Sequence, residues 1–145
     1  MTPSAWRHRL IRSQFEVHGQ SMEPAYPAGS RVWASRRFPF FRAPSRGDVV
    51  VIRSPAMPGR MELKRIIGLP CEELSWSRGQ FRVNGMPLDE PYAQPRPAPP
   101  GDDEIALVRL SPRDYFVVGD NRLYSHDSRH YGPVARSAIL GRILS

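Results

Sequence analysis

Lysine can act as a base where arginine cannot, and this chain keeps a single one. Of its 21 basic residues, 20 are arginine and only Lys64 is lysine. Arginine holds its proton at any ordinary pH, whereas a buried lysine can lose it and become an acceptor. The plainer alternative is a lineage biased toward arginine that left one lysine by accident. The remaining reactive side chains suggest neither redox nor metal chemistry. Cys71 is the one cysteine, so no disulfide can close within the chain, and His8, His18, His126 and His130 lack the paired spacing of a zinc site. No cofactor is expected, and Cys71 reads as a small buried hydrophobe.

A base is useful only on a rigid support, and the sequence supplies short strands rather than long helices. A chain of 145 residues accommodates one domain, residues 1–145. Its 16 prolines and 11 glycines, set between short apolar runs such as Val49-Val50-Val51-Ile52, predict a mainly β fold of short strands joined by turns. Gln14 to His18 alternates apolar and polar residues and delivers the chain into Gly19-Gln20-Ser21, so Ser21 follows a strand end. A turn over Tyr26 to Ser30 leads to a strand at Arg31 to Ala34, and Arg46-Gly47-Asp48 introduces the strand Val49 to Ile52. Met61 to Ile67 is a further strand, placing Lys64 on a rigid element. Asn84-Gly85 is a hairpin turn between Gln80 to Val83 and Met86 to Leu88. Five prolines between Pro91 and Pro100 predict a solvated loop over 91–104, outside the core. Asp114 to Val118 resumes strand character, and Ala138 to Leu144 closes the chain with apolar residues.

Three separated boxes resemble those of type I signal peptidases, in the same order. Ser21-Met22-Glu23-Pro24 is similar to the family's nucleophile box, and Lys64-Arg65-Ile66-Ile67-Gly68-Leu69-Pro70 to its base box. Gly119-Asp120-Asn121-Arg122, followed by Ser125, Asp127, Ser128, Arg129, Gly132, Pro133 and Val134, is similar to its last box. Ser-Met-x-Pro alone would be weak; the three together, spanning roughly residues 15–144, are specific. The resemblance implies a serine endopeptidase with a signal-peptidase-like β fold of antiparallel strands, in which the short stretch between the second and third boxes leaves a reduced accessory region.

It also implies roles. Ser21 would be the nucleophile and Lys64 its general base, with Ser125 hydrogen-bonded to the Lys64 amine and Asp127 and Arg129 as a supporting ion pair. A serine hydroxyl is a poor nucleophile until a neighbour takes its proton. Lysine with its ordinary pKa of about 10.4 is neutral in only roughly one molecule in 2,500 at pH 7, so the site must depress that value, and burial beside Leu63, Ile66 and Ile67 would do so. The Ser21 backbone N–H would be one oxyanion donor. Some family members add a hydroxyl two residues before the nucleophile, where this chain has Gly19, and glycine usually stands where this chain has Cys71. The family cuts after a small residue with another two positions upstream, the Ala-x-Ala pattern. Phe15, Val17, Met22 and Leu63 would line the shallow pockets for it, or simply pack in the core.

The expected partner is a precursor protein or its leader peptide. No apolar stretch approaches the roughly 18 residues of a membrane span, and Met1 to Gln20 lacks an apolar signal-peptide core. The expectation is therefore either an enzyme held at a membrane by a partner or by an aromatic surface such as Phe38-Pro39-Phe40-Phe41, or a cytoplasmic maturation peptidase like the relative that trims nickel superoxide dismutase. A net charge of +7 is scattered without a basic run, so no nucleic-acid partner is expected. Two other classes stand beside the peptidase: a self-cleaving repressor, for whose DNA-binding domain the chain has no room, and a nonenzymatic basic binding module.

Overall fold

The computed structural model of the chain describes residues 12–35, 43–94 and 105–144. Among them, in chain order, are β1 (Arg12–Glu16), β2 (Arg31–Ser35), β3 (Val49–Arg53), β4 (Met61–Gly68), β5 (Glu73–Ser77), β6 (Gln80–Val83), β7 (Met86–Pro87), β8 (Ala106–Arg109) and β9 (Asp114–Val118). There follow a single helical turn, α1 (Ser128–Tyr131), then β10 (Val134–Ala135) and β11 (Ile139–Ile143). A seven-stranded sheet has the order β1-β2-β11-β3-β4-β9-β10 and a four-stranded one the order β7-β6-β5-β8. All paired neighbours run antiparallel. This is the mainly β, antiparallel fold expected from the sequence.

The apolar run of β3 explains why the large sheet is covered on both faces, since a strand without a polar side must be buried twice over. Val49 and Val51 pack with Val17, Met22, Val32, Ala34 and Ile143 on one face. Val50 and Ile52 pack with Ile66, Tyr115, Val117, Val134 and Ile139 on the other. A third cluster joins the small sheet to β9: Leu74 and Phe81 meet Ile67, Leu110, Phe116 and Val118. Strand β4 contributes to two of these clusters through adjacent residues, Ile66 and Ile67, and so is fixed from both sides.

Details differ from the sequence reading for identifiable reasons. The first strand ends at Glu16 rather than His18, because Val17 leaves the ladder to bond with the next turn: its N–H donates to the Ser30 carbonyl at 2.8 Å, and its carbonyl accepts from the Gly29 N–H at 2.7 Å. The Asn84-Gly85 hairpin forms as expected, with both residues at positive φ (49° and 83°) between Val83 and Met86. The loop from Pro91 is not wholly solvated. Tyr92 packs against the third core cluster, and the Gln94 N–H donates to the Asp120 carbonyl at 3.0 Å. Residues 95–104 of that loop and the aromatic segment 36–42 lie outside the described residues.

Cys71 is exposed, not buried. It is the third residue of the turn Leu69-Pro70-Cys71-Glu72, closed by the Glu72 N–H donating to the Leu69 carbonyl at 3.2 Å, and its φ is 66°. Proline followed by a residue of positive φ is the pattern of a type II turn, which favours glycine at this position. Holding a β-carbon there is strained. Cys71→Gly is expected to raise the unfolding free energy by about 0.5–1 kcal/mol in urea titrations, while Cys71→Ala, which keeps the β-carbon, leaves it unchanged.

Candidate active site

Alternation along β4 places Lys64 and Arg65 on opposite sides of one strand, and each is fixed differently. Arg65 forks onto Asp120, with Nε donating to Oδ1 at 2.8 Å and Nη2 to Oδ2 at 2.7 Å, while its guanidinium lies 4.1 Å from the centre of the Tyr92 ring. That clamp ties β4 to the loop after β9. Lys64, opposite Val50 of β3, is 4% exposed. Its Nζ lies 3.2 Å from Ser21 Oγ, although the two residues are 43 apart in sequence. Burial is the largest influence on the amine and lowers its pKa below the ordinary lysine value. The carboxylates of Glu62 and Asp127 pull the other way, while Arg129 and Arg60 add to the lowering.

Ser21 sits in the turn after β1, and the loop after β9 holds that turn by its backbone. The Asn121 N–H donates to the Ser21 carbonyl at 2.9 Å, and Asn121 Nδ2 donates to the Gln20 carbonyl at 3.1 Å. Gly119 lies beneath: a β-carbon there would come within 2.2 Å of Ser125 Oγ and 2.6 Å of the Ser21 carbonyl oxygen. Only glycine permits this approach. Gly19 has φ of 76°, a conformation that favours glycine.

Asp127 is fully buried and saturated with donors. Its Oδ2 accepts from Ser125 Oγ at 2.7 Å, from the Gly119 N–H at 3.0 Å and from Arg129 Nη2 at 3.0 Å. Its Oδ1 accepts from Arg129 Nε at 2.9 Å and from the Arg129 N–H at 3.2 Å. Burial alone would raise its pKa, but the hydrogen bonds and charge of Arg129, with Ser125 and Gly119, bring it below the ordinary carboxylate value. The same side chain caps α1, where His130 Nδ1 accepts in return from the Asp127 N–H at 3.1 Å.

The structure thus brings Ser21 to Lys64, and Ser125 to Asp127 and Arg129. The direct Ser125–Lys64 hydrogen bond expected from the sequence is not formed; the Ser125 proton is committed to Asp127, and among the described residues the one hydrogen-bond partner of the Lys64 amine is Ser21. Phe15, Val17, Met22 and Leu63 all line one cleft of about 780 Å³ with Ser21 and Lys64. The sequence reading missed Glu62, Tyr124 and His126, which line the same cleft, and Tyr131, which reaches it through Glu62. Strand alternation was the available signal for Glu62, two residues before Lys64.

Residues 5–145 match the family described as signal peptidase, peptidase S26. The chain belongs to this family. It is accordingly a serine-type endopeptidase. Signal peptidase I V of Bacillus subtilis (strain 168) is 33% identical over 139 residues, covering 89% of this chain and 82% of that protein. Probable signal peptidase I-2 of Synechocystis sp. is 37% identical over 131 residues, covering 87% of this chain but 58% of its own length. The mitochondrial ATP-independent inner membrane protease subunit 1b of Arabidopsis thaliana is 35% identical over 129 residues, covering 88% and 65%. The crystal structure of a signal peptidase I from Enterococcus faecalis V583 superposes with a TM-score of 0.56 at 28% identity, covering 72% of this chain and 98% of that one. Among the described residues no helix is long and apolar enough to cross a membrane.

The close packing at Gly119 generates a test of the support for the S26 peptidase site. Gly119→Ala must displace Ser125 or the Ser21 turn, and displacement of about 1 Å at such a site costs about a hundred-fold. A fall in kcat/KM of that size, with the protein still folded by circular dichroism, is expected against any substrate the wild type cleaves.

Proposed function

We propose that this peptidase removes N-terminal signal or leader peptides after a small residue, with Ser21 as nucleophile and Lys64 as general base. The observation that carries the reading is the 3.2 Å approach of the only lysine in the chain to the Ser21 hydroxyl, in a cleft with an apolar wall. In the neutral state the Ser21 O–H donates to Lys64 Nζ. As Oγ attacks the scissile carbonyl, the amine takes that proton, and the Ser21 backbone N–H faces the developing oxyanion. The Lys64 ammonium then protonates the departing amine, leaving an acyl group on Ser21. A water deprotonated by the same amine releases it.

The remaining residues divide by what they touch. Asp127 and Arg129 hold Ser125 and Gly119 against the nucleophile turn, so they act through position rather than on the substrate. Phe15, Val17, Met22 and Leu63 form the pockets for the small side chains of an Ala-x-Ala type sequence. Val17 and Met22 are buried in the core beneath this cleft, and half-buried Phe15 and Leu63 offer it the more accessible apolar surface. The described residues act as one catalytic unit, the two sheets being joined by the core around Phe116, while the Arg65–Asp120 clamp ties β4 to the loop after β9.

The test is to incubate the protein with leader peptides ending in Ala-x-Ala, a nickel superoxide dismutase leader among them, and to read the products by mass spectrometry. Cleavage after the small residue by the wild type is expected, with Ser21→Ala and Lys64→Arg each lower by at least about a thousand-fold. Near-normal turnover by Lys64→Arg would remove the lysine base, since a guanidinium cannot accept the serine proton. No cleavage of any peptide, with lipid and detergent also supplied, would contradict the substrate class.

A further inference from the structure

Glu62 is the carboxylate that the proposed mechanism leaves without a task. It lies two residues before Lys64 on β4, hence on the same side of the strand, and it lines the same cleft. Both of its oxygens are held by neutral hydroxyls from separate parts of the fold. Ser54 Oγ, just past β3, donates to Oε1 at 2.8 Å, and the Tyr131 hydroxyl, at the end of α1, donates to Oε2 at 3.1 Å. Ser54 is itself fixed, since its hydroxyl oxygen accepts the Met57 N–H at 3.0 Å. Among the described residues no cation forms an ion pair with Glu62. A carboxylate gripped by two hydroxyls loses its freedom, which makes it a fixed source of negative potential rather than half of an ion pair.

We infer that Glu62 is a positioning residue for the Lys64 amine: its carboxylate, anchored by Ser54 and Tyr131, sets how readily that amine holds a proton. The inference rests on Lys64 being the base, as proposed above. Of the charged groups acting on Lys64, Glu62 on its own strand is the strongest, ahead of Asp127 and Arg129 around α1 and Arg60 in the turn before β4. Without such a counter-charge, burial would drive the amine to a low pKa and leave it a feeble base. Basicity and the fraction of neutral amine trade against each other, so a fixed carboxylate restores some of the first at the expense of the second. Tyr131 makes the setting depend on α1. The turn capped by Asp127 therefore reaches Lys64 from two sides, through Asp127 directly and through Tyr131 and Glu62.

The sole lysine makes this directly measurable. Protein labelled with ε-13C-lysine and carrying no added lysines gives one side-chain signal, whose pH titration reports Lys64. Glu62→Gln keeps an acceptor and a donor for the two hydroxyls but removes the charge. The Lys64 midpoint is expected to fall by about one pH unit in this variant. Tyr131→Phe, which leaves the charge but frees one oxygen, should move the midpoint down by less, and it serves as the test if Glu62→Gln does not fold. A midpoint that stays within 0.2 unit (roughly the noise of such a titration, against the full unit a neighbouring charge produces) or rises in Glu62→Gln overturns the inference. The same applies to Tyr131→Phe where it is the variant that folds. The signal reads the amine whether or not Lys64 is the base. If the midpoint moves while the acid limb of kcat/KM stays in place, the role of Glu62 stands and the assignment of Lys64 as base fails.

Discussion

One amine is kept out of water, and much of the fold is arranged around that cost. Burial of Lys64 lowers its pKa, so at pH values below the folded value the protein must hold a charge where it is poorly solvated. The resulting penalty on stability is full below the folded pKa and relaxes as the pH rises toward the ordinary lysine value. Asp127 has the opposite sign. Its depressed pKa contributes stability that is present above the ordinary carboxylate value and is lost as the pH falls through the folded one. A destabilised ammonium and a stabilised carboxylate thus act on stability in opposite senses.

Position is supplied by backbone as much as by side chains. Ser21 is carried on a turn, and turns drift unless tied. Here Asn121 binds the turn through two carbonyls, and Gly119 lets the loop after β9 lie against it without a β-carbon between. That loop is in turn held from β4 by the Arg65–Asp120 fork and from α1 by Asp127. Lys64 and Arg65, adjacent in sequence, thus serve the same geometry from opposite sides of one strand: one faces Ser21, and the other anchors the loop that holds the Ser21 turn.

Much of this was legible in the residues, and what was not has physical reasons. Local signals worked where structure is local: Asn84-Gly85 made its hairpin, and the Val49 to Ile52 run made a strand buried on both faces. The pairing of Ser21 with Lys64 spans 43 residues, and only a single lysine and the resemblance of three boxes pointed to it. Strands β5 and β8 went unseen because Glu73 to Ser77 carries polar residues among the apolar ones, and pairing with β6 and the third core cluster overrides that pattern. Cys71 was misjudged from the general habit of free cysteines, although Pro70 before it already signalled a turn. Tyr92 was hidden within a proline-rich stretch, where composition speaks for solvation and a single aromatic ring speaks for docking. The commitment of the Ser125 proton to Asp127 depends on distances that no spacing encodes.

The most direct test of the account is the titration of Lys64 in the wild-type protein, followed by its lone lysine signal and compared with the pH dependence of kcat/KM. With Lys64 as the proposed base, the neutral amine is the reactive form, and activity rises with pH through the ionisation that the signal reports. The account predicts a midpoint clearly below the ordinary lysine value and an acid limb of kcat/KM at the same pH. A midpoint at the ordinary value, or an acid limb that does not coincide with it, would contradict the claim that a buried lysine is the base.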